Sequence, residues 1–278
     1  MVKVKLIFPY DDDDDLTCKS TKIDDIRKFV VKKKKSLQNK LFVLTKDDRI
    51  LCDSDSVNNG DKLTIRKVTI VLDLDETLLH ALCYNEIPED LKKNPPKEIA
   101  AHVMDDQKDD PNPYVIFVRP GLYPFLEHIF NSANVCVWTA ASQDYALWII
   151  KNILRKNDKG ESVSRDFKVF LSSHHCDISY DKEDGHKVLS CFNDEFKLHN
   201  LDKQDFNAND VCLLIDDSSA AKKGNSDPTK LHQCFKIKAF ELNDQNKLDV
   251  NDNKLQELQS NLQPDTIQQF LCDLHNEK

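Results

Sequence analysis

Two carboxylates two residues apart, Asp73 and Asp75, close the apolar run Val68-Thr-Ile-Val-Leu72. Buried carboxylates are costly unless something pairs with them, and two so close together repel, so a divalent cation is their natural partner. Two further apolar runs stop in the same manner: Val135-Cys-Val-Trp138 at Thr139, and Val211-Cys-Leu-Leu-Ile215 at the pair Asp216 and Asp217. Each run reads as a strand buried on both faces. Open α/β sheets bind ligands beyond the carboxyl ends of such strands. The pattern points to acidic groups gathered around a cation, most simply Mg²⁺, at neighbouring strand tips. Taken singly, each ending also has a plainer reading: an Asp-rich turn before a helix, a Thr that finishes a strand, an Asx turn.

The elements that must position these residues are legible around them. Ser142 is placed to cap a helix running to about Arg155, and Tyr114–Val118 forms a strand before Arg119-Pro-Gly121, where the arginine cements the turn. The first 66 residues have a character of their own. A β-run over Val2–Phe8 precedes the acidic run Asp11–Asp15, then a basic helix that starts at Ser20 or Thr21 and aligns Ile23, Ile26, Phe29 and Val30 on one face. Short strands follow at Lys40–Thr45, Ile50-Leu51 and Gly60–Ile65. After an edge strand over Phe235–Phe240, amphipathic helices around Leu255, Leu258, Leu262 and Ile267–Leu274 cover the sheet. The expected fold class is α/β, a doubly wound parallel sheet over 67–278 preceded by a small α+β domain over 1–66. A Pro-rich insert spans 83–113 and a polar extra loop 177–195.

Composition narrows the classes. With 48 acidic against 39 basic side chains the net charge is −9, which argues against nucleic-acid binding driven by bulk charge. No apolar stretch reaches the roughly 18–20 residues that span a bilayer, and the amino terminus lacks a signal-peptide core, so an intracellular location, nuclear or cytoplasmic, is expected. The nine cysteines mostly sit inside apolar strands, as buried reduced thiols do, and imply no disulfide framework. Asp11–Asp15 lacks the alternation and glycine of a calcium loop and reads as solvated. Lys32–Lys35 reads as the polar face of a helix, with nuclear import as the alternative. His174, His175, Cys176, His186 and Cys191 match no zinc spacing.

The segment Asp73-Leu-Asp75-Glu-Thr77-Leu matches the DxDx[TV] signature of the haloacid-dehalogenase (HAD) superfamily and, in detail, resembles the FCP/SCP-type protein phosphatases, which act on phosphoserine and phosphothreonine. Thr139, Asp216-Asp217 and the segment Phe196-Lys197-Leu-His-Asn-Leu201 resemble the later motifs of that family, so the likeness runs from Val68 to Phe240. It implies an HAD-like, Rossmannoid sheet and Mg²⁺ as cofactor. Asp73 would be the nucleophile, forming an aspartyl-phosphate, and Asp75 the acid and base. Thr77, Thr139, Ala140 and Lys197 would hold phosphate oxygens. The metal ligands would be Asp73, Asp75 through its carbonyl, Asp216 and Asp217. The implied substrate is a phosphoprotein, with the repeat tail of RNA polymerase II the family's best-known case.

The family's arginine near the Cys-containing turn is replaced by Ser172 and Ser173, and His174 or His175 is the substitute at hand. The ββ/α/ββ order of residues 1–66 resembles the ubiquitin-like β-grasp of a subgroup of these phosphatases, and a family-specific α+β extension is the alternative. As a β-grasp it would be a docking module, toward a proteasome-like partner, and its removal should spare hydrolysis. Three rivals for the whole chain are an HAD enzyme of small phosphometabolites, a phosphomutase, and a noncatalytic phosphoprotein-binding scaffold. The presence of both Asp73 and Asp75 weighs against the scaffold.

Overall fold

The computed structural model describes residues 3–9, 16–104, 112–178, 187–189, 210–227 and 230–277. Asp11–Asp15, His186 and Cys191 lie outside them. Strands β1 (Val4–Ile7) and β2 (Leu16–Cys18) form an antiparallel pair, α1 (Ile23–Lys33) follows, and β3 (Phe42–Lys46) pairs with β4 (Arg49–Ile50). The next strand, β5 (Lys62–Leu72), is an unbroken run of 11 residues. Its first half lies between β1, parallel to it, and β3, antiparallel, giving the order β2–β1–β5–β3–β4. The two strands expected at Gly60–Ile65 and Val68–Leu72 are thus one, and the division at 66/67 falls inside it. Its burial changes midway: Leu63 and Ile65 alternate with more exposed neighbours, whereas Val68–Leu72 is covered on both faces.

Helix α1 buries Ile23, Ile26 and Val30 against this amino-terminal sheet. Its N-cap is Lys22 and no side chain caps it; the Ser20 hydroxyl donates instead to Asp25, so the expected start at Ser20 or Thr21 is displaced. The helix ends at Lys33, leaving Lys34 and Lys35 beyond it.

Past β5, the strands β6 (Leu79–Cys83), β7 (Ala101–Met104) and β8 (Tyr114–Val118) build a three-stranded antiparallel sheet, order β6–β8–β7, around the insert, which also holds α2 (Glu89–Lys93). Then come α3 (Leu122–Ser132), β9 (Asn134–Trp138), α4 (Gln143–Ile149), which continues as a π-helical turn over Ile150–Leu154, β10 (Phe170–Leu171) and α5 (Ser173–Ile178). Strand β11 (Val211–Asp216), α6 (Ser219–Gly224), β12 (Gln233–Lys236), α7 (Lys254–Asn261) and α8 (Ile267–Asn276) complete the described elements. The second half of β5 lies between β9 and β11, and the parallel order β10–β9–β5–β11–β12 is that of a doubly wound sheet.

Helix α8 ties the two sheets together. Gln268 is wholly buried; its Oε1 accepts from Leu44 N at 2.7 Å, while Nε2 donates to the Leu44 and Leu51 carbonyls. Leu41, Val43 and Ile50 belong to the same core cluster as Val68, Ile70 and Leu271. Cys52 is disulfide-bonded to Cys272, with Cα atoms 5.3 Å apart, which corrects the expectation of reduced thiols at these two positions. They are 220 residues apart in sequence, and only the packing of α8 across β3 and β4 brings them together. Among the other described cysteines, burial pushes the Cys136 and Cys234 thiols up to about 12.

Arg119 is fully buried at the turn after β8. Its Nε and Nη2 bind Asp252 at 2.9 Å each, while Nη1 and Nη2 donate to the Thr77 and Lys238 carbonyls at 2.8 Å. It therefore fastens the loop after Asp75 to the carboxy-terminal segment. Removing one partner of a buried pair strands the other's charge, so Arg119→Met should destabilise the fold by about 3–5 kcal/mol. Thermal unfolding checks this, and Arg119→Met with Asp252→Leu should recover part of the loss.

Candidate active site

Asp73 directly follows β5, and Asp216 ends its parallel neighbour β11, so the point where strand order reverses sets the two carboxylates side by side. The Asp73 amide donates to Ile215 O at 3.0 Å and the Ser218 amide to Asp216 Oδ1 at 2.7 Å. Thr77 joins them: its hydroxyl lies 3.3 Å from Asp73 Oδ2 and 3.2 Å from Asp217 Oδ1, and accepts from the Asp217 amide at 3.1 Å. Glu76 makes the intervening turn with φ of 57°, a conformation uncommon for a residue with a Cβ. Two 2.7 Å bonds hold it, from its amide to Leu79 O and from Phe240 N to its carbonyl.

Lys187 lies between the acids. Its Nζ donates to Asp73 Oδ1 and, at 2.7 Å, to Asp216 Oδ2. Burial works against its ammonium, but the attraction of Asp73 and Asp216 outweighs burial and the net shift is upward. Burial also pushes the Asp73 carboxyl up to about 7, and Lys187 only partly offsets this. Asp217 is likewise raised, by burial and then by Asp216. One ammonium shared between Asp73 and Asp216, with Asp217 beside them, keeps its own proton while leaving three carboxylates short of positive charge. Oxygens of Asp73, Asp216 and Asp217 lie within 4.8 Å of one another. Hard oxygen donors with a deficit of positive charge are the donor set a Mg²⁺ ion takes.

The Asp75 side chain is set apart from this cluster. Its Oδ1 accepts from the Tyr145 hydroxyl, and burial pushes its carboxyl up to about 6, with the Tyr145 bond opposing. Thr139, after β9, is buried and its hydroxyl accepts from Ala141 N at 3.0 Å; Ser142 caps α4, accepting from Tyr145 N at 3.4 Å. A cleft of about 180 Å³ is lined by Asp73, Asp75, Thr139, Ala140, Lys187 and Asp216–Asp217, among others.

The expected residues Asp73, Asp75, Thr77, Thr139, Ala140, Asp216 and Asp217 are thus brought together. Lys197 lies outside the described residues, and the lysine that the structure places between the acids is Lys187. Its segment is held by Asn225, which accepts from Leu189 N and donates to Lys187 O, both at 2.8 Å. No local signal marks Lys187, since Lys197 is likewise followed by an apolar residue, Leu198. Neither His174 nor His175 lines the cleft; His175 Nδ1 accepts from Ser172 N, and burial lowers its basicity, so neither stands in for the family arginine there.

Fold and acid cluster together define an α/β phosphatase. The chain belongs to the NLI interacting factor-like phosphatase family, whose model matches residues 68–271. It is 36% identical over 174 residues to a CTD phosphatase-like protein, 355R, of Invertebrate iridescent virus 6, covering 62% of this chain and 85% of that one. The protein of the same description from Invertebrate iridescent virus 3 is 30% identical over 200 residues, covering 71% and 96%. Among solved structures, Fcp1, an essential RNA polymerase II CTD phosphatase, aligns with a TM-score of 0.43 and 18% identity, over 75% of this chain and 62% of that one. A point variant of the fission yeast RNA polymerase II CTD phosphatase Fcp1, bound to beryllium fluoride, aligns with a TM-score of 0.37 and 20% identity, over 76% and 51%.

Proposed function

We propose that this chain is a Mg²⁺-dependent protein serine/threonine phosphatase working through an aspartyl-phosphate on Asp73. The observation that carries this reading is the division of labour among the acids: Asp73 and Asp216 share one ammonium at the sheet's switch point with Asp217 beside them, while Asp75 stands apart with a raised carboxyl. An Asp73 oxygen attacks phosphorus as the bond to the serine or threonine oxygen breaks, and the Asp75 proton passes to that departing oxygen. Water then attacks phosphorus and gives its proton to Asp75, and the Asp73–phosphate bond breaks to release inorganic phosphate. A carboxyl raised to about 6 holds a proton far more readily near neutrality than an ordinary aspartate, and each proton transfer is worth about 10²–10⁴-fold.

Asp73, Asp216, Asp217 and the Asp75 carbonyl would hold Mg²⁺, which when bound supplies the positive charge that offsets carboxylate–phosphate repulsion. Lys187 takes the role assigned by family resemblance to Lys197, pairing with Asp73 and, once phosphate arrives, with its oxygens. Thr139 and the Ala140 backbone line the phosphate side of the cleft. Among the described residues the insert contributes only α2 and β7, the latter completing a small three-stranded sheet with the flanking β6 and β8, which favours an open site that admits a peptide. A phosphorylated repeat tail of the RNA polymerase II kind is the substrate we infer, supported by the descriptions of the relatives. The strand order β2–β1–β5–β3–β4 with one helix supports reading the amino-terminal unit as a β-grasp; that it docks a proteasome-like assembly is what we infer from the family resemblance alone.

Purified protein should hydrolyse p-nitrophenyl phosphate and phosphoserine peptides with Mg²⁺. EDTA should lower both rates by about 10²-fold or more, restored by excess Mg²⁺. Turnover indifferent to EDTA would contradict the metal reading, and activity confined to small phosphate esters would contradict the peptide one.

A further inference from the structure

We propose that Tyr145 is a positioning residue for the acid–base carboxylate: its hydroxyl donates to Asp75 Oδ1, fixing the side chain and leaving Oδ2 as the oxygen that exchanges the proton with the substrate. The inference rests on the phosphatase reading above and adds to it a residue that acts through Asp75.

The Tyr145–Asp75 oxygen separation is 2.5 Å, and Oδ2 has no hydrogen-bond partner among the described residues. A carboxylate terminus is a broad, two-fold torsion, so without a second anchor its two oxygens would exchange places freely. Glu76, the neighbouring acid, cannot supply that anchor, because it is engaged with His80 at 3.1 Å. Tyr145 is itself held at both ends. Its amide donates to the capping Ser142 Oγ in the first turn of α4, and its ring packs edge-on against Tyr114 with centroids 6.0 Å apart. A phenol keeps its proton near neutrality, so the group remains a donor to the carboxylate. In the transfer steps the phenolic proton stays on Tyr145. The proton delivered to the leaving oxygen comes from Asp75 Oδ2, and the proton taken from water returns there.

An anchor for a general acid is needed in proportion to how much proton the leaving group requires. Phosphoserine releases an alkoxide and needs protonation, whereas p-nitrophenyl phosphate releases a stable phenolate and needs little. Tyr145→Phe should therefore lower kcat/KM for a phosphoserine peptide by about tenfold or more, since small misplacements of a catalytic group cost rates on that scale. For p-nitrophenyl phosphate kcat/KM should change less than about threefold. In an Asp75→Asn background, adding Tyr145→Phe should change neither value, because the positioned group is already gone.

Equal losses on the two substrates, no loss on the phosphopeptide, or full additivity with Asp75→Asn would each overturn the assignment. If Tyr145→Phe is misfolded by circular dichroism, 3-fluorotyrosine at position 145 preserves the ring and alters only the donor. A change confined to the phosphopeptide then supports the assignment, and an equal change or none overturns it. A folded wild type inert toward p-nitrophenyl phosphate with Mg²⁺ would overturn the phosphatase reading and this assignment together. An active wild type with equal losses overturns this assignment alone.

Discussion

Asp73→Asn is expected to remove turnover of p-nitrophenyl phosphate, by on the order of 10³-fold or more, in a protein that remains folded. An amide is neutral and a poor nucleophile, and the substitution also takes one of three carboxylates from the cation cluster. Lys187 loses one partner but keeps Asp216 at 2.7 Å, so no buried charge is stranded. The expected sign for stability follows from burial, which pushes the Asp73 carboxyl up to about 7, above its ordinary value of 3.8. A group raised in this way favours the folded state at low pH and loses that contribution as pH rises through its folded value. Above that value its ionised form opposes folding, and an asparagine has no such form. At pH 8, without divalent cation, the variant should therefore unfold at a temperature no lower than the wild type. Retained activity would place the nucleophile elsewhere, whereas a collapse of the melting temperature would mean that the Asp73–Lys187 pair is structural.

Removal of residues 1–66 should unfold the whole chain, where the sequence pattern had led to the expectation that hydrolysis would be spared. The cut falls inside β5, leaving Lys67–Leu72 without the ladder that continues its first half. It takes Leu41, Val43 and Ile50 out of the core cluster they share with Val68 and Leu271. Three such side chains are worth about 1.5–3 kcal/mol each, or roughly 5–9 together, against a typical total stability of about 5–15 kcal/mol. Gln268 would lose both strands it serves and be exposed on an apolar face. The truncated chain should be insoluble or molten by near-ultraviolet circular dichroism. A folded, active truncation would show that the two halves are independent after all.

Asp73, Thr139 and Asp216 were legible because each closes an apolar run of buried strand, with Asp75 and Asp217 close behind, and such runs are a property of sequence alone. The family resemblance then ordered them. Lys187 was not legible, since it reaches the cluster from a polar segment whose placement depends on Asn225, a contact 38 residues away. Lysines abound in this chain, and nothing local separates Lys187 from Lys197. Tyr145 was hidden for another reason: at the third position of a capped helix an aromatic reads as packing, and only the tertiary approach of α4 to the Asp75 loop makes it a donor. The union of two expected strands into β5 was missed because Ile65 and Val68 flank the basic pair Arg66-Lys67, which looks like a break. In the structure Arg66 turns outward to Thr45 and Asp48, so the strand passes through. Gln268 and the Cys52–Cys272 bond depend on contacts more than 200 residues apart in sequence.

Strand β5 also acts as a ruler. At about 3.3 Å per residue its 11 residues span roughly 36 Å, from the amino-terminal sheet to the threshold of Asp73, without a glycine or proline to bend at. The amino-terminal sheet and the cleft are thus joined through one unbroken backbone, which fixes the separation and bearing of the one from the other.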